Sequence, residues 1–174
     1  MDDRRWTIDD RRFRMLYVVC RMLYVVRRMS SIVRRMSSIK KLITYSDGGA
    51  RGNPGPAAIG VVVWEGEKIL DSFGRYIGKA TNNQAEYQAL IAALERASAL
   101  GAEEVECRMD SELAVKQMRL EYKVRDQELQ PLFLKAWNLA AGFKRVVFVH
   151  VMRAQNALAD AKVNEAIDEH FKEH

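Results

Sequence analysis

Three strand-like runs joined by short connections limit the fold of this chain more than any other sequence feature. Apolar residues predominate or alternate with polar ones in residues 42–46, 58–64 and 69–77, as expected of strands. The second and third runs are separated only by the tight turn 65–67, and the first connection is rich in glycine and proline. Such short connections join antiparallel neighbours. The sequence therefore begins its ordered part with a predicted antiparallel meander.

Helices and strands alternate in the remainder of the chain. A helix is predicted to begin after Thr81, a suitable N-cap, and to end at Gly101. The following pattern predicts a strand at 105–109, helices at 111–120 and 127–141, a fifth, central strand at 146–151, and a final helix at 155–172. A meander followed by such alternation predicts an α/β fold, in which a mixed sheet is covered by helices.

The first 39 residues differ from the rest in charge and in pattern. They contain ten arginines and four aspartates, whereas residues 40–174 carry 18 basic and 19 acidic side chains. They also read as near-duplicated seven-residue units, from DDRRWTI to SSIKKLI. One interpretation is a basic arm that binds phosphates, and the other is a disordered or loosely helical leader with no selected fold. The predicted domains are an extension, residues 1–39, and a folded domain, residues 40–174.

Cysteine usage and hydropathy exclude several classes of protein. The two cysteines, Cys20 and Cys107, are far apart and have no histidine or cysteine at metal-ligand spacing. This pattern argues against a zinc site or a disulfide framework and favours a reducing, cytoplasmic location. No apolar run approaches the length of a membrane span.

Asp47 is the first candidate site residue. Alternation along the first strand places Asp47 on the same face as Ile43 and Tyr45, at the predicted end of the strand. The glycine-rich segment that follows lacks the Gly-Lys-Ser/Thr ending and the helix of a phosphate-binding P-loop, and it leads into a strand. It is interpreted as a hairpin connection. A simple turn without a function is the alternative.

Three further acids lie on apolar rows or at a strand end. Glu86 shares a helical row with Leu90, and Asp160 shares one with Val163. Asp110 follows the fourth strand directly. Helix-dipole complementation is an alternative role for Glu86, and helix capping is one for Asp110.

Four inward-facing carboxylates in a small domain would repel one another unless a cation neutralised them. Oxygen ligands alone point to Mg²⁺ or Mn²⁺. Two such ions about 4 Å apart catalyse phosphoryl transfer in many enzymes. The sequence therefore suggests metal-dependent phosphoryl-transfer chemistry.

Four motifs in this order resemble those of type 1 ribonuclease H over residues 40–170. They are SDGGARGNPG at 46–55, TNNQAE at 81–86, MDSE at 109–112 and AD at 159–160. The resemblance implies a ribonuclease H-like fold, with a five-stranded mixed sheet of three antiparallel and then two parallel strands flanked by helices. It also implies two bound Mg²⁺ ions, for which Mn²⁺ can substitute, and hydrolysis of the RNA strand of RNA–DNA hybrids to 5′-phosphate and 3′-hydroxyl ends.

The resemblance also assigns roles to individual residues. The residues that match the family's metal-binding carboxylates are Asp47, Glu86, Asp110 and Asp160. Those expected to contact the substrate are Gly48, Gly49, Asn53, Asn83, Glu112 and Lys123. The two glycines suit close approach of the backbone to the sugar edge, and Glu112 stands where some members have glutamine.

Two departures from the family pattern affect the expected mechanism. Many members carry a mobile histidine before the last aspartate, whereas this chain resembles members with an arginine there. Arg153 is therefore preferred to His150 as the residue that assists catalysis. The basic protrusion after the second helix is missing, so hybrid affinity is expected to be modest unless Lys123, Arg125 or the N-terminal arm substitutes for it. Trp64, Trp137 and the methionines are interpreted as core residues.

Three functions follow as hypotheses, of which a hybrid-specific endonuclease acting as a monomer is preferred. A nuclease acting also or mainly on double-stranded RNA is the enzymatic alternative, because a fold alone does not fix the substrate. A non-catalytic module that binds hybrids is the third, although such a module would be expected to lack one of the four acids. None of the hypotheses involves a membrane or an obligate protein partner.

Overall fold

The computed structural model describes Met22 and residues 39–173 of the chain. The chain divides into two units, Met1–Ile39 and Lys40–His174, and the description below concerns the second. The predicted disorder or loose helix of the N-terminal extension falls outside the described residues. The same is true of Cys20.

Five strands form one mixed sheet, as predicted. They are β1 Lys41–Ala50, β2 Gly55–Glu65, β3 Lys68–Ala80, β4 Glu104–Met109 and β5 Arg145–His150. The order across the sheet is β3-β2-β1-β4-β5. The β1–β2 and β2–β3 pairs are antiparallel, whereas β1–β4 and β4–β5 are parallel. The predicted α/β fold, with three antiparallel strands followed by two parallel ones, is confirmed.

Four helices accompany this sheet in the described part of the chain, and the third packs against the first. They are α1 Asn82–Ala99, α2 Glu112–Met118, α3 Gln130–Ala141 and α4 Ala157–Glu173, with a short 3₁₀ turn at Arg153–Gln155. Helix α1 begins at Thr81 through a capping box, in which the Gln84 amide N–H donates to the Thr81 hydroxyl and the Thr81 N–H donates to the Gln84 side chain. Residues 119–129 connect α2 to α3 without another helix, consistent with the missing protrusion.

The prediction that β5 is central in the sheet is wrong, because β5 is an edge strand. Its apolar side chains line a groove instead of packing beside a second strand. The guanidinium group of Arg119 donates two hydrogen bonds to the carbonyl oxygen of Phe148, where a neighbouring strand would otherwise pair. Val147 and Trp137 line an apolar groove beside this edge. Trp137 is 37% exposed, so its interpretation as a core residue is also wrong.

Neighbouring glycines of β1 show that α1 and α4 cover opposite faces of the sheet. A Cβ atom on Gly48 would meet the backbone of Ala85 in α1, whereas one on Gly49 would meet Val163 in α4. Successive residues of a strand point to opposite faces. Gly60 of β2 belongs to the α4 face, since a Cβ there would lie 2.1 Å from the carbonyl oxygen of Ala159. Both helices therefore approach the sheet closely at positions without side chains.

The larger apolar cluster lies between α1 and the sheet, with Leu90, Leu94, Ile59 and Val105 among its buried members. A smaller cluster lies beneath α4. Met109 and Met118 are buried, as predicted for core methionines, but Met152 is 72% exposed. Among the described residues, none of the helices combines the length and apolar character that crossing a bilayer requires.

Candidate active site

Asp47 lies inside β1, three residues before its end. The prediction that it ends the strand is wrong because the β1–β2 ladder continues to the Ala50–Ala57 pair, and the Arg51 N–H then donates to the Pro56 carbonyl. Asp47 pairs with Gly60 in this ladder and is 7% exposed. Its carboxylate therefore sits on a rigid strand in the α4 face of the sheet.

Glu86 is held beside β1 by the close packing of α1. It is the fifth residue of the helix and is 6% exposed, so it is beyond the first turn, where a solvated acid would complement the helix dipole. Opposite it, Gly48 leaves room for the helix: a Cβ on Gly48 would lie 2.1 Å from the carbonyl carbon of Ala85 and 2.2 Å from the amide nitrogen of Glu86. The missing side chain at residue 48 thus lets Glu86 reach the end of the sheet where Asp47 lies.

Asp110 follows β4, the parallel neighbour of β1. The register pairs Ser46 with Met109, which brings the next residue of each strand to the same end of the sheet. Helix capping does not explain Asp110, because Ser111 is the N-cap of α2 and accepts from the Ala114 N–H at 3.4 Å. The Asp110 carboxylate instead accepts a hydrogen bond from the side-chain amide of Asn156.

Three of the four predicted acids form one cluster. Oxygen atoms of Asp47, Glu86 and Asp110 all lie within 4.8 Å of one another. Asp160, near the start of α4, lines the same cleft but is paired with Arg153, whose guanidinium nitrogen lies 2.6 Å from Asp160 Oδ1. The structure therefore gathers the four acids at one site, as predicted, and the fourth acid, Asp160, forms an ion pair with Arg153.

Burial and mutual repulsion shift the ionisation of this cluster. Burial is the largest cause that raises the pKa of Asp47 to about 7, and the charges of Asp110 and Asp160 add to it. The pKa of Glu86 rises to about 9, again chiefly through burial and then through Asp47 and Asp110. Arg153 opposes both shifts. These are the directions expected where several carboxylates share a poorly solvated site.

The donor set of this cleft fits a hard divalent cation. All the clustered groups are carboxylates, and the Glu86 Oε2 atom is buried with no hydrogen-bond partner among the described residues. A buried carboxylate oxygen without a partner is costly. A cation with oxygen ligands, such as Mg²⁺ or Mn²⁺, would satisfy that atom and neutralise the repulsion.

Metal-free protein should lose stability as the pH rises from 5 to 9. Asp47 and Glu86 keep their protons to a higher pH in the folded than in the unfolded protein, so both stabilise the fold fully only at low pH. This contribution is lost as the pH rises through the folded pKa, which is about 7 for Asp47 and about 9 for Glu86. We expect the free energy of unfolding in EDTA to fall by several kcal/mol across this range. Urea unfolding followed by circular dichroism measures it.

The control for this pH dependence is the Asp47→Asn variant, which should lose the part of the decline that passes through pH 7. Added Mg²⁺ should restore stability above pH 7 in the unsubstituted protein, since cation binding favours the ionised carboxylates. A free energy of unfolding that stays level or rises between pH 5 and pH 9 in EDTA would contradict the raised pKa values.

The predicted substrate-contacting residues are not all at the cleft. Gly48 and Gly49 line it. Asn53 lies in the adjacent loop, where its side-chain oxygen accepts from the Asn82 N–H at 3.2 Å. Asn83 is exposed in the first turn of α1.

Glu112, Lys123 and His150 lie outside the residues that line the cleft. Glu112 is exposed and pairs with Lys116 at 2.7 Å, and Lys123 is exposed in the connection between α2 and α3. His150, the alternative to Arg153, ends β5, and the pKa of Glu112 is lowered chiefly by its hydrogen bond to Lys116. Arg153 is thus the one of these two candidates that lies beside the acids.

Three asparagines at the site were missed by the sequence analysis. Asn156 bonds Asp110, Asn164 donates to Asp160 Oδ2 at 3.1 Å, and Asn82 lines the cleft and accepts from the Ala50 N–H at 3.3 Å. The four-residue spacing of Asn156, Asp160 and Asn164 was the one available signal, because residues so spaced share a helical face. The partners of Asn82 and Asn156, in contrast, are remote in sequence.

A five-stranded mixed sheet with carboxylates at one end of its central strands, and a cleft that fits divalent cations, defines a protein of the ribonuclease H fold class. The chain matches the family described as reverse transcriptase-like over residues 45–166. It is 48% identical over 126 residues to ribonuclease HI of Halobacterium salinarum, covering 72% of this chain and 63% of that protein. The chain therefore belongs to the type 1 ribonuclease H family.

Solved structures of similar proteins agree with this assignment. The crystal structure of RNase H1 from Halobacterium salinarum has a TM-score of 0.73 and 46% identity, covering 74% of this chain and 98% of that one. LC11-RNase H1 in complex with an RNA/DNA hybrid has a TM-score of 0.72 and 48% identity, covering 75% and 99%. The chain spans only 36% of the length of its Mycobacterium tuberculosis relatives, to which it is 45% identical over 130 residues.

Proposed function

We propose that this chain is an endonuclease that hydrolyses the RNA strand of RNA–DNA hybrids, using two Mg²⁺ ions and leaving 5′-phosphate and 3′-hydroxyl ends. The observation that carries the proposal is the approach of Asp47, Glu86 and Asp110 oxygens to within 4.8 Å of one another in a cleft that Asp160 completes. The hybrid-bound structure of LC11-RNase H1, 48% identical to this chain, supports the choice of substrate.

In this proposal the four acids hold the cations. Asp47, Glu86 and Asp110 stand close enough to share an ion, and Asp160 would contribute once its carboxylate is released from Arg153. Bound divalent ions supply an activated water and stabilise the charge that develops on the phosphate. The strand and helix backbones that carry the acids keep them in place before substrate arrives.

We propose that Arg153 and the loop after β1 contact the nucleic acid. The Arg153 side chain is 78% exposed, and its guanidinium group bonds Asp160. Its positive charge would therefore meet a scissile phosphate that enters the cleft. The N–H and side chain of Asn82 tie the start of α1 to Asn53 and to the end of β1. This fixes the surface of Gly49, Asn53 and Asn83, which would recognise the 2′-hydroxyls of the RNA strand in the minor groove.

The proposed function also includes a cellular location and an oligomeric state. We place the protein in the cytoplasm, a location supported by the buried, free thiol of Cys107. We also propose that it acts as a monomer. Among the alternatives, the non-catalytic binding module is disfavoured because all four acids are present and line one cleft. Activity on double-stranded RNA is the alternative to test, because a fold alone does not fix the substrate.

The test compares initial cleavage rates on an RNA–DNA hybrid and on an RNA duplex of the same sequence, at equal concentration in Mg²⁺. We expect cleavage of the hybrid to be at least about 100-fold faster, since the site must contact RNA on one strand and DNA on the other. A DNA duplex is the control and should stay intact. Equal or faster cutting of the RNA duplex would replace the proposed substrate with the alternative one.

A further inference from the structure

Asn156 contacts all three backbone segments that carry the aspartates of the cleft. It lies between the 3₁₀ turn and α4 and is 1% exposed. Its side-chain Nδ2 donates to the carbonyl oxygen of Ser46, which precedes Asp47, and to Asp110 Oδ1, both at 3.0 Å. Its own carbonyl oxygen accepts from the Asp160 N–H at 3.1 Å. One residue thus connects the segments of Asp47, Asp110 and Asp160.

We propose that Asn156 is a positioning residue that fixes the Asp110 carboxylate relative to Asp47 and so sets the affinity of the cleft for divalent cations. The terminal torsion of an aspartate is broad and has no sharp rotamer of its own. Repulsion from the ionised Asp47 carboxylate would turn the Asp110 carboxylate away in the metal-free protein at pH 8. The bond from Asn156 to Oδ1 opposes that rotation. This inference rests on the proposed function, since it assumes that the cleft binds cations.

Side-chain packing alone does not account for an amide at this position. The Asn156 Oδ1 atom is buried and has no hydrogen-bond partner among the described residues. Burial of an unpaired amide oxygen costs free energy that an apolar side chain of similar size would not incur. The two bonds made by Nδ2 offset that cost, and both lead to the acid-bearing segments. Residues that orient metal ligands through hydrogen bonds affect cation affinity in this way.

Calorimetric titration of Mg²⁺ into the full chain at pH 8, without nucleic acid, tests the proposal. We expect Asn156→Ala to weaken Mg²⁺ binding by about 10–100-fold relative to the unsubstituted protein. The Mg²⁺ concentration for half-maximal hybrid cleavage should rise by a similar factor, with the KM for hybrid little changed. Gln117→Ala is the matched control, because it removes a buried hydrogen bond, from the Tyr87 hydroxyl at 2.7 Å, that does not touch the acids. It should bind Mg²⁺ as the unsubstituted protein does.

A second variant and a measurement on the unsubstituted protein keep the test decisive if Asn156→Ala does not fold. Asn156→Ser retains at most one donor and should bind Mg²⁺ with intermediate affinity. The Nδ2 proton signals of Asn156 should shift in NMR spectra as Mg²⁺ is added to the unsubstituted protein. Folded Asn156 variants with unchanged Mg²⁺ affinity, or Nδ2 signals that do not move, would overturn the positioning role while leaving the proposed nuclease intact. An unsubstituted protein that neither binds Mg²⁺ nor cuts hybrid would overturn both proposals.

Discussion

Replacing Asp47 with asparagine is expected to lower hybrid cleavage by roughly a thousandfold or more while leaving the protein folded. The substitution preserves shape but removes a charged oxygen ligand from the most crowded part of the cleft, within 4.8 Å of Glu86 and Asp110 oxygens. Burial raises the pKa of Asp47 to about 7, so its charge destabilises the metal-free protein at pH 8. The Asn variant should therefore be at least as stable as the unsubstituted protein in EDTA.

Initial rates on a labelled hybrid, together with urea unfolding in EDTA at pH 8, measure both parts of this prediction. Glu95→Gln is the matched control, since Glu95 is an exposed acid of α1 that pairs with Lys135 at 2.9 Å, remote from the cleft. It should cut at the rate of the unsubstituted protein. An Asp47→Asn protein that cuts normally would show that the carboxylate cluster is not the catalytic site.

Gly48→Ala is expected to destabilise the fold by about 2–4 kcal/mol. The added Cβ would stand 2.1–2.3 Å from backbone atoms of Ala85 and Glu86, and backbone of a capped helix cannot turn aside as a side chain can. Helix α1 must shift away from β1, which moves the Glu86 carboxylate from its neighbours. We therefore expect cleavage to fall as well, including in protein that remains folded. Urea unfolding and hybrid cleavage rates measure the two effects.

The neighbouring glycine provides the control. A Cβ on Gly49 would meet only the Val163 Cγ1 atom, at 3.0 Å, and a side chain can give way. Gly49→Ala should therefore cost clearly less stability than Gly48→Ala. The sequence interpretation assigned Gly48 to the substrate, which predicts instead normal stability and a raised KM for hybrid. That outcome would show that the contact with α1 does not explain why residue 48 is glycine.

The acids themselves could be predicted from the sequence because periodicity reports which face of an element a residue occupies. Alternation placed Asp47 on the inner face of β1, and helical spacing placed Glu86 and Asp160 on apolar rows. The structure brings all of them to one cleft. However, periodicity does not indicate how deeply a residue is buried or how far a strand extends. The continuation of β1 to Ala50 depends on pairing with β2, which no local pattern in β1 encodes.

Features that depend on remote contacts could not be predicted. Asn156 bonds groups that are 110 and 46 residues away in the chain, so its four-residue spacing from Asp160 could not by itself indicate these bonds. The edge position of β5 depends on the strand order of the whole sheet, and its apolar side chains line a groove instead of packing beside a second neighbouring strand. The pairing of Arg153 with Asp160 likewise depends on how the 3₁₀ turn and α4 meet.

The most direct test of the proposed nuclease is cleavage of an RNA–DNA hybrid whose two strands carry different labels, with the full chain in Mg²⁺ or in EDTA. We expect the RNA strand alone to be cut, at internal positions, and only in Mg²⁺, with fragments that end in 3′-hydroxyl groups. Cutting of the DNA strand, cutting that persists in EDTA, or an intact hybrid after prolonged incubation in Mg²⁺ would contradict it.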